Sequence, residues 1–128
     1  ASDSGVKISL IIRGICCLYP QRKNLSENIK VISIIGHFLE HSRIFWFCNN
    51  GDNEVFIGSA DWMRRNLDRR IEAVTPIEDY ELKSKIYSLL QTYIKDDYFS
   101  WIMKEDGSYS KYELDSSDNR SQIDLIEK

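Results

Sequence analysis

The sequence predicts a mixed α/β domain, a mixed β-sheet flanked by helices, and three features carry that expectation. Short Ile- and Val-rich runs near the start, "KISLIIRG" and "IKVISII", are bounded by polar turn residues, as buried strands are. Asn49-Asn50-Gly51-Asp52-Asn53 separates two aromatic and β-branched runs, a dense turn signal that predicts a hairpin. From Leu82 the apolar spacing changes to that of a helix face. The 128 residues suffice for one core and are too few for two.

The elements follow in order. Lys7–Gly14 is expected as a buried strand whose end delivers Arg13. Residues 19–28, with Pro20, read as a polar loop. Ile29–Ile35 is a second buried strand, although an apolar run of this kind is also compatible with a helix continuing to Glu40. His41–Phe47 and Glu54–Ser59 form the hairpin, and Arg69–Val74 is expected as a fifth strand. Leu82, Ile86, Leu89, Leu90, Tyr93 and Ile94 share one face of a helix over roughly residues 78–96. Two starts compete for it: a capping box at Thr75-Pro76-Ile77-Glu78, and Asp79 as the cap. Phe99–Lys104 and Ser108–Tyr112 flank Glu105-Asp106-Gly107 as a second hairpin. The polar tail from Ser116 allows a last helical turn or two over Ser121–Glu127.

Composition narrows the function classes. No apolar run approaches the roughly eighteen residues of a membrane span, and residues 1–10 do not read as a secretory leader. Three cysteines make no disulfide framework, which points to a reducing, cytoplasmic setting. Cys16 and Cys17 are expected as small buried side chains, and no His/Cys spacing suggests zinc. The net charge of −3 conceals an asymmetry. Residues 1–75 hold ten Lys and Arg against eight Asp and Glu, whereas residues 76–128 hold seven against twelve. Seven of the eight arginines, Arg13, Arg22, Arg43, Arg64, Arg65, Arg69 and Arg70, lie in the first part. A guanidinium offers a planar fork that grips phosphate with two bonds; the competing use is surface solvation or pairing with carboxylates.

Residues two apart in a strand share a face, so His41 and Arg43 are expected to point together. If Gly58-Ser59-Ala60-Asp61 is extended too, Ser59 and Asp61 share a face on the neighbouring strand. An imidazole, a guanidinium, a hydroxyl and a carboxylate then meet, a set suited to phosphoryl chemistry. Arg65 and Arg69 are candidate supports, and as strand neighbours Arg69 and Arg70 would face opposite sides. Trp62 and the Phe45-Trp46-Phe47 run read as core or interdomain contact. His37 reads as a surface or interface histidine.

His41-Ser42-Arg43 followed by Gly58-Ser59-Ala60-Asp61 resembles a degenerate His-x-Lys phosphodiesterase signature of the phospholipase D superfamily. Two positions depart from it: lysine is Arg43, and the expected aspartate is Cys48. More specifically, "LIIRGICCL", "LSENIKVISIIGHFLEHSRIFWF", "VFIGSADWMRRNLDRRIE", "DGSY" and "SQIDLIEK" together resemble the last domain of bacterial polyphosphate kinase, a phospholipase D-like domain. The resemblance covers the whole chain in order. It implies that residues 1–128 are a C-terminal fragment of a longer chain. That parent transfers the terminal phosphate of ATP reversibly to polyphosphate through a phosphohistidine held in a missing domain.

By the same resemblance, Arg13 matches an arginine that contacts ATP phosphates, and His41 matches a histidine at those phosphates. For His41 the expected role is general acid or transition-state contact, not nucleophile. Arg43 joins the phosphate-binding set. The family's magnesium ligands have no counterpart here, so Mg is expected on residues outside the chain and no metal site within it. Partners implied are ATP or ADP, polyphosphate, the upstream domains and further copies of the parent, without nucleic acid. The parent is expected in the cytoplasm or peripheral at the inner membrane, and the isolated fragment is expected to be inactive. Two alternatives stand beside this reading: a non-catalytic polyanion-binding module, and a dimeric phospholipase D-like phosphodiesterase.

Overall fold

The computed structural model describes residues 1–111 and 119–127. They divide into two units, residues 1–40 with 91–128 and residues 41–90, and seven strands separate into a four-stranded and a three-stranded sheet among them. The α/β class holds, with the strands shared between two sheets.

In the first unit β2 (Ile29–Ile34) is central, flanked by β1 (Ile8–Ile11) and β6 (Ser100–Met103), with β7 (Tyr109–Lys111) beyond β6. β1 runs parallel to β2, pairing Ile8 with Ile29 and Ile11 with Ile32. β6 is antiparallel to β2, and β7 to β6. Nearly every residue of β2 is buried. A strand covered on both faces needs no polar alternation, which is why "IKVISI" reads as an almost continuous apolar run. Ile29, Val31 and Met103 form the core of one face, packed by Ile8, Leu10, Ile12, Cys16, Leu18 and Tyr109. The chain leaves β2 as an irregular segment, so no helix continues to Glu40.

The 19–28 loop is held from within. The Ser26 hydroxyl donates to the Tyr19 carbonyl at 2.5 Å and accepts from the Arg22 N–H at 3.1 Å. The Arg22 guanidinium donates to the Glu105 carbonyl at 3.0 Å and lies 4.4 Å from the Tyr19 ring centroid. The β6–β7 hairpin turns at Gly107, whose φ is +85° and where an added Cβ would come within 2.6 Å of the Tyr19 ring. Asp106 accepts the Ser108 N–H and hydroxyl, and these bonds hold its carboxyl below the usual range. Tyr112 and Ser116 lie outside the described residues. Cys17 is exposed, contrary to expectation, while Cys16 is partly buried against the core.

α2 (Tyr80–Lys95) starts at Asp79, whose carboxylate accepts the Leu82 N–H at 2.9 Å. The Thr75 capping box does not form because Val74–Pro76 is itself a strand. After α2, the fully buried Asp96 carboxylate accepts the Phe99 N–H at 2.7 Å, the Ser121 N–H at 2.8 Å and the Ser121 hydroxyl at 2.5 Å. These bonds fix the start of α3 (Ser121–Asp124).

In the second unit β3 (Ile44–Phe47), β4 (Glu54–Gly58) and β5 (Val74–Pro76) form an antiparallel sheet in that order. The β3–β4 hairpin pairs Ile44 with Ile57 and Phe47 with Glu54. Asn49, Asn50 and Gly51 all take positive φ in its turn, the conformation that Asn and Gly tolerate best. Lys83 of α2 donates to the Asn53 carbonyl at 2.8 Å. Pro76 lacks an N–H and is accommodated on the edge strand.

Residues 69–74 are not the expected strand. Arg64–Arg69 is a helix, α1, and the following strand begins only at Val74. "RRNLDR" contains no β-branched residue, and Arg64 pairs with Asp68 one turn on at 3.1 Å. Ile71, which a buried strand would have covered, is fully exposed.

Two outcomes test this packing. Asp96→Ala leaves three buried donors without their acceptor and is expected to lower stability by about 3 kcal/mol, read from the urea midpoint. The Tyr93 hydroxyl is pushed up to about 12 by burial, by the Glu40 charge and by its hydrogen bond to Glu40. Its neutral form therefore adds stability below the ordinary tyrosine value of about 10, and that stability is lost as pH rises through about 12. Ultraviolet titration should show a late tyrosinate step that Tyr93→Phe removes.

Candidate phosphate site around His41 and Arg43

β3 begins at Ile44, so His41, Ser42 and Arg43 precede the strand instead of forming its first residues. The side chains of His41 and Arg43 nevertheless meet, by direct contact and not by strand alternation. Arg43 Nη1 lies 2.8 Å from His41 Nδ1 and Nη2 lies 3.0 Å from His41 Nε2. Nη1 also donates to the His41 carbonyl at 2.8 Å. An arginine N–H can only donate and an imidazole offers at most one acceptor nitrogen, so no more than one of these two ring contacts is a hydrogen bond.

Asp61 holds the other side of the guanidinium. Its Oδ1 accepts Arg43 Nε and Nη2, each at 2.9 Å. The Arg43 side chain is 15% exposed and that of Asp61 45%, so the guanidinium is largely enclosed with one flank on the imidazole. The Arg43 carbonyl accepts the Gly58 N–H at 2.9 Å, which locks this residue to the end of β4.

Ser59 does not join this group. Its hydroxyl donates to Glu72 and accepts the Ala73 N–H at 3.0 Å, while the Ser59 N–H donates to the Ala73 carbonyl at 3.0 Å. Ser59 thus extends the β4–β5 ladder, and the expected common face with Asp61 is absent because the chain bends after Gly58. Trp62 is 75% exposed and stacked on Phe45 at 5.2 Å, so it is not core. Trp46 packs against Tyr87.

The remaining arginines divide by partner. Arg64 pairs with Asp68, and Arg70 with Glu72 at 3.3 Å. Arg65 and Arg69 are exposed, and among the described residues neither forms an ion pair. As i and i+4 of α1 they lie on one helix face, an arrangement that replaces the opposed strand faces expected for Arg69 and Arg70.

In the first unit, Arg13 follows the carboxyl end of β1 and is exposed, just before Gly14 with φ +102°. Because β1 and β2 are parallel, the segment after β2, residues 35–40, leaves from the same sheet edge. Carboxyl ends of parallel strands are where α/β sheets present ligand-binding loops. His37 is exposed and sets its ring edge-on to Phe99 at 5.7 Å.

Residues 1–122 match the family model for polyphosphate kinase C-terminal domain 2. The chain belongs to that family. It is similar to the polyphosphate kinase of Parasynechococcus marenigrum (strain WH8102), 54% identical over all of this chain and 18% of the relative. Similarity to the polyphosphate kinase of Prochlorococcus marinus (strain MIT 9313) is 58% identity over 98% of this chain and 18% of the relative. The crystal structure of polyphosphate kinase from Porphyromonas gingivalis superposes with a TM-score of 0.91 at 40% identity, over 98% of this chain and 19% of that one. The chain thus spans 18% of the length of these curated relatives.

Within the polyphosphate kinase domain, among the described residues, no three His, Cys, Asp or Glu side chains group as a metal site. Likewise no helix is long and apolar enough to cross a membrane.

Sequence spacing missed Glu40, Tyr93 and Gln122, which surround the segment leading to His41. The Gln122 amide bonds both backbone groups of Phe38, and Glu40 bonds Tyr93 and Gln122. They are 82 and 84 residues apart in two of these bonds, and no local pattern announces such pairings.

Arg43→Lys tests the shared guanidinium. One ammonium cannot reproduce both edges of the fork, so the His41 ring resonances are expected to move in ¹H–¹⁵N spectra. Stability should fall by about 1 kcal/mol, since the pair is only partly exposed.

Proposed function

We propose that this domain forms part of the ATP:polyphosphate phosphotransferase site of a longer polyphosphate kinase, as the C-terminal, phospholipase D-like domain of that chain. The observation that carries this reading is the Asp61–Arg43–His41 contact: a guanidinium oriented by a carboxylate beside an imidazole. Catalysis of phosphoryl transfer is mostly positioning and charge neutralisation. The overall reaction moves the terminal phosphate of ATP onto polyphosphate and leaves ADP. The phosphate passes through a phosphohistidine on another domain of the parent.

Arg43 neutralises non-bridging phosphate oxygens, with Asp61 keeping its fork aimed, and Arg13, at the carboxyl end of β1, is a phosphate-binding residue of its own unit. His41 contacts the phosphate as general acid or hydrogen-bond partner. Since Arg43 already meets the ring, phosphate engagement requires the imidazole to turn from the guanidinium, or an oxygen to bridge the two. The exposed face of Arg65 and Arg69 supports a path for polyphosphate. Ser59 serves the β4–β5 ladder that carries Asp61. The parent works in the cytoplasm or peripherally at the inner membrane, as a homo-oligomer, with magnesium ligands elsewhere in its chain. The isolated 128 residues do not turn over ATP.

His41→Ala in the full-length parent is expected to lower polyphosphate synthesis by at least about 100-fold, the scale of acid–base and charge-stabilising residues. Unchanged synthesis from ATP would remove His41 from the mechanism. The alternatives give different results. A polyanion-binding module would bind DNA and polyphosphate with similar, salt-sensitive affinity. A dimeric phosphodiesterase would let the purified 128-residue chain cleave a phosphodiester.

A further inference from the structure

Residues 36–40 run irregularly between the end of β2 and His41. Phe38 and Leu39 expose their side chains, so burial of those side chains does not hold the segment down. Backbone groups outside a ladder need other partners, and Gln122 supplies them. Its Oε1 accepts the Phe38 N–H at 3.0 Å, and its Nε2 donates to the Phe38 carbonyl at 2.9 Å. The same Nε2 donates to Glu40 Oε1 at 2.7 Å. The amide thus bonds Phe38 as a neighbouring β-strand would, and carries a further bond to the residue immediately before His41.

Gln122 is itself fixed. It is buried, and it follows Ser121, which the Asp96 carboxylate grips through both N–H and hydroxyl. Glu40 is held a second time by Tyr93. Gly36 belongs to the same arrangement, since an added Cβ there would collide with Gln122 Oε1 and lie 2.8 Å from its Cδ. Gly36 needs no left-handed backbone, so its lack of a side chain is explained by the room that Gln122 occupies.

We propose that Gln122 is a positioning residue for His41, clamping Phe38 and Glu40 so that the chain enters His41 along one path, with Gly36 as the gap that admits the amide. The inference rests on the reading of His41 as a phosphate-contacting residue. Gln122 does not touch the phosphate. Its effect belongs to the orientation of the imidazole during transfer, and therefore to kcat more than to nucleotide binding.

The test uses the full-length parent enzyme with Gln122→Ala, Gly36→Ala, the double variant and His41→Ala. Initial rates over a range of ATP concentration and thermal midpoints are measured for each. Because small misplacements of a reacting group are costly, each single variant is expected to lower kcat about tenfold while KM for ATP stays within about twofold. Both substitutions disturb one clamp, so the double variant should fall within about twofold of the worse single variant. If Gln122→Ala does not fold, Gln122→Glu, which keeps the size and the Phe38 acceptor but loses the donors, carries the same expectation. A kcat within about twofold of wild type for the Gln122 variant, alongside an inactive His41→Ala, overturns the clamp and leaves the His41 reading intact. Losses that multiply in the double variant and follow a falling thermal midpoint also overturn it, because Gln122 would then act only on stability. Full activity of His41→Ala overturns the underlying reading instead.

Discussion

The two-sided burial of β2 is the constraint from which the first unit follows. Its Ile and Val side chains leave no face for water, so neighbours must cover both sides and both edges. One edge is taken by β1 in parallel, the other by β6 antiparallel. The parallel pairing brings the carboxyl ends of β1 and β2 to one sheet edge, where Arg13 and residues 35–40 emerge. Those residues then need hydrogen-bond partners away from any strand, and the buried Gln122 amide provides them. A packing requirement thus determines where Arg13 and the 35–40 segment leave the sheet.

Arg43 shows how one arginine is distinguished from its neighbours. Its fork is shared between Asp61 and His41, within a largely enclosed setting where a carboxylate fixes the orientation. Arg22 is engaged by a backbone carbonyl and the Tyr19 ring, and Arg64 and Arg70 by nearby carboxylates. Exposed pairs such as Arg64–Asp68 contribute little to stability, because solvent screens them. Arg65 and Arg69 remain exposed on a common helix face.

The differences between expectation and structure have specific physical causes. The strand expected over 69–74 gives way because the helix-compatible "RRNLDR" forms α1 and Ile71 is left in solvent. Two caps were available before α2, and Asp79 prevails because Thr75 and Pro76 are taken up by pairing with β4. Ser59 and Asp61 part because the chain bends after Gly58, sending the hydroxyl to Ala73 and Glu72 and the carboxylate to Arg43. Cys17 lies in solvent even though its neighbour Cys16 packs on the core.

Local patterning by itself determined the α/β class, the β1, β2, β3 and β4 runs, the Asn-Gly hairpin, the extent of α2 to within two residues and the β6–β7 turn. These are properties of short segments, where side-chain period and turn chemistry act directly on the backbone. Likeness of the whole chain to polyphosphate kinase was also legible, through motifs spread along its length. Only the tertiary structure decided that the strands divide into two sheets, that Asp61 without Ser59 reaches Arg43, and that the Gln122 amide bonds the backbone of Phe38. Those outcomes depend on which distant groups remain to satisfy a buried or irregular backbone, and that competition is settled only when the whole chain has packed.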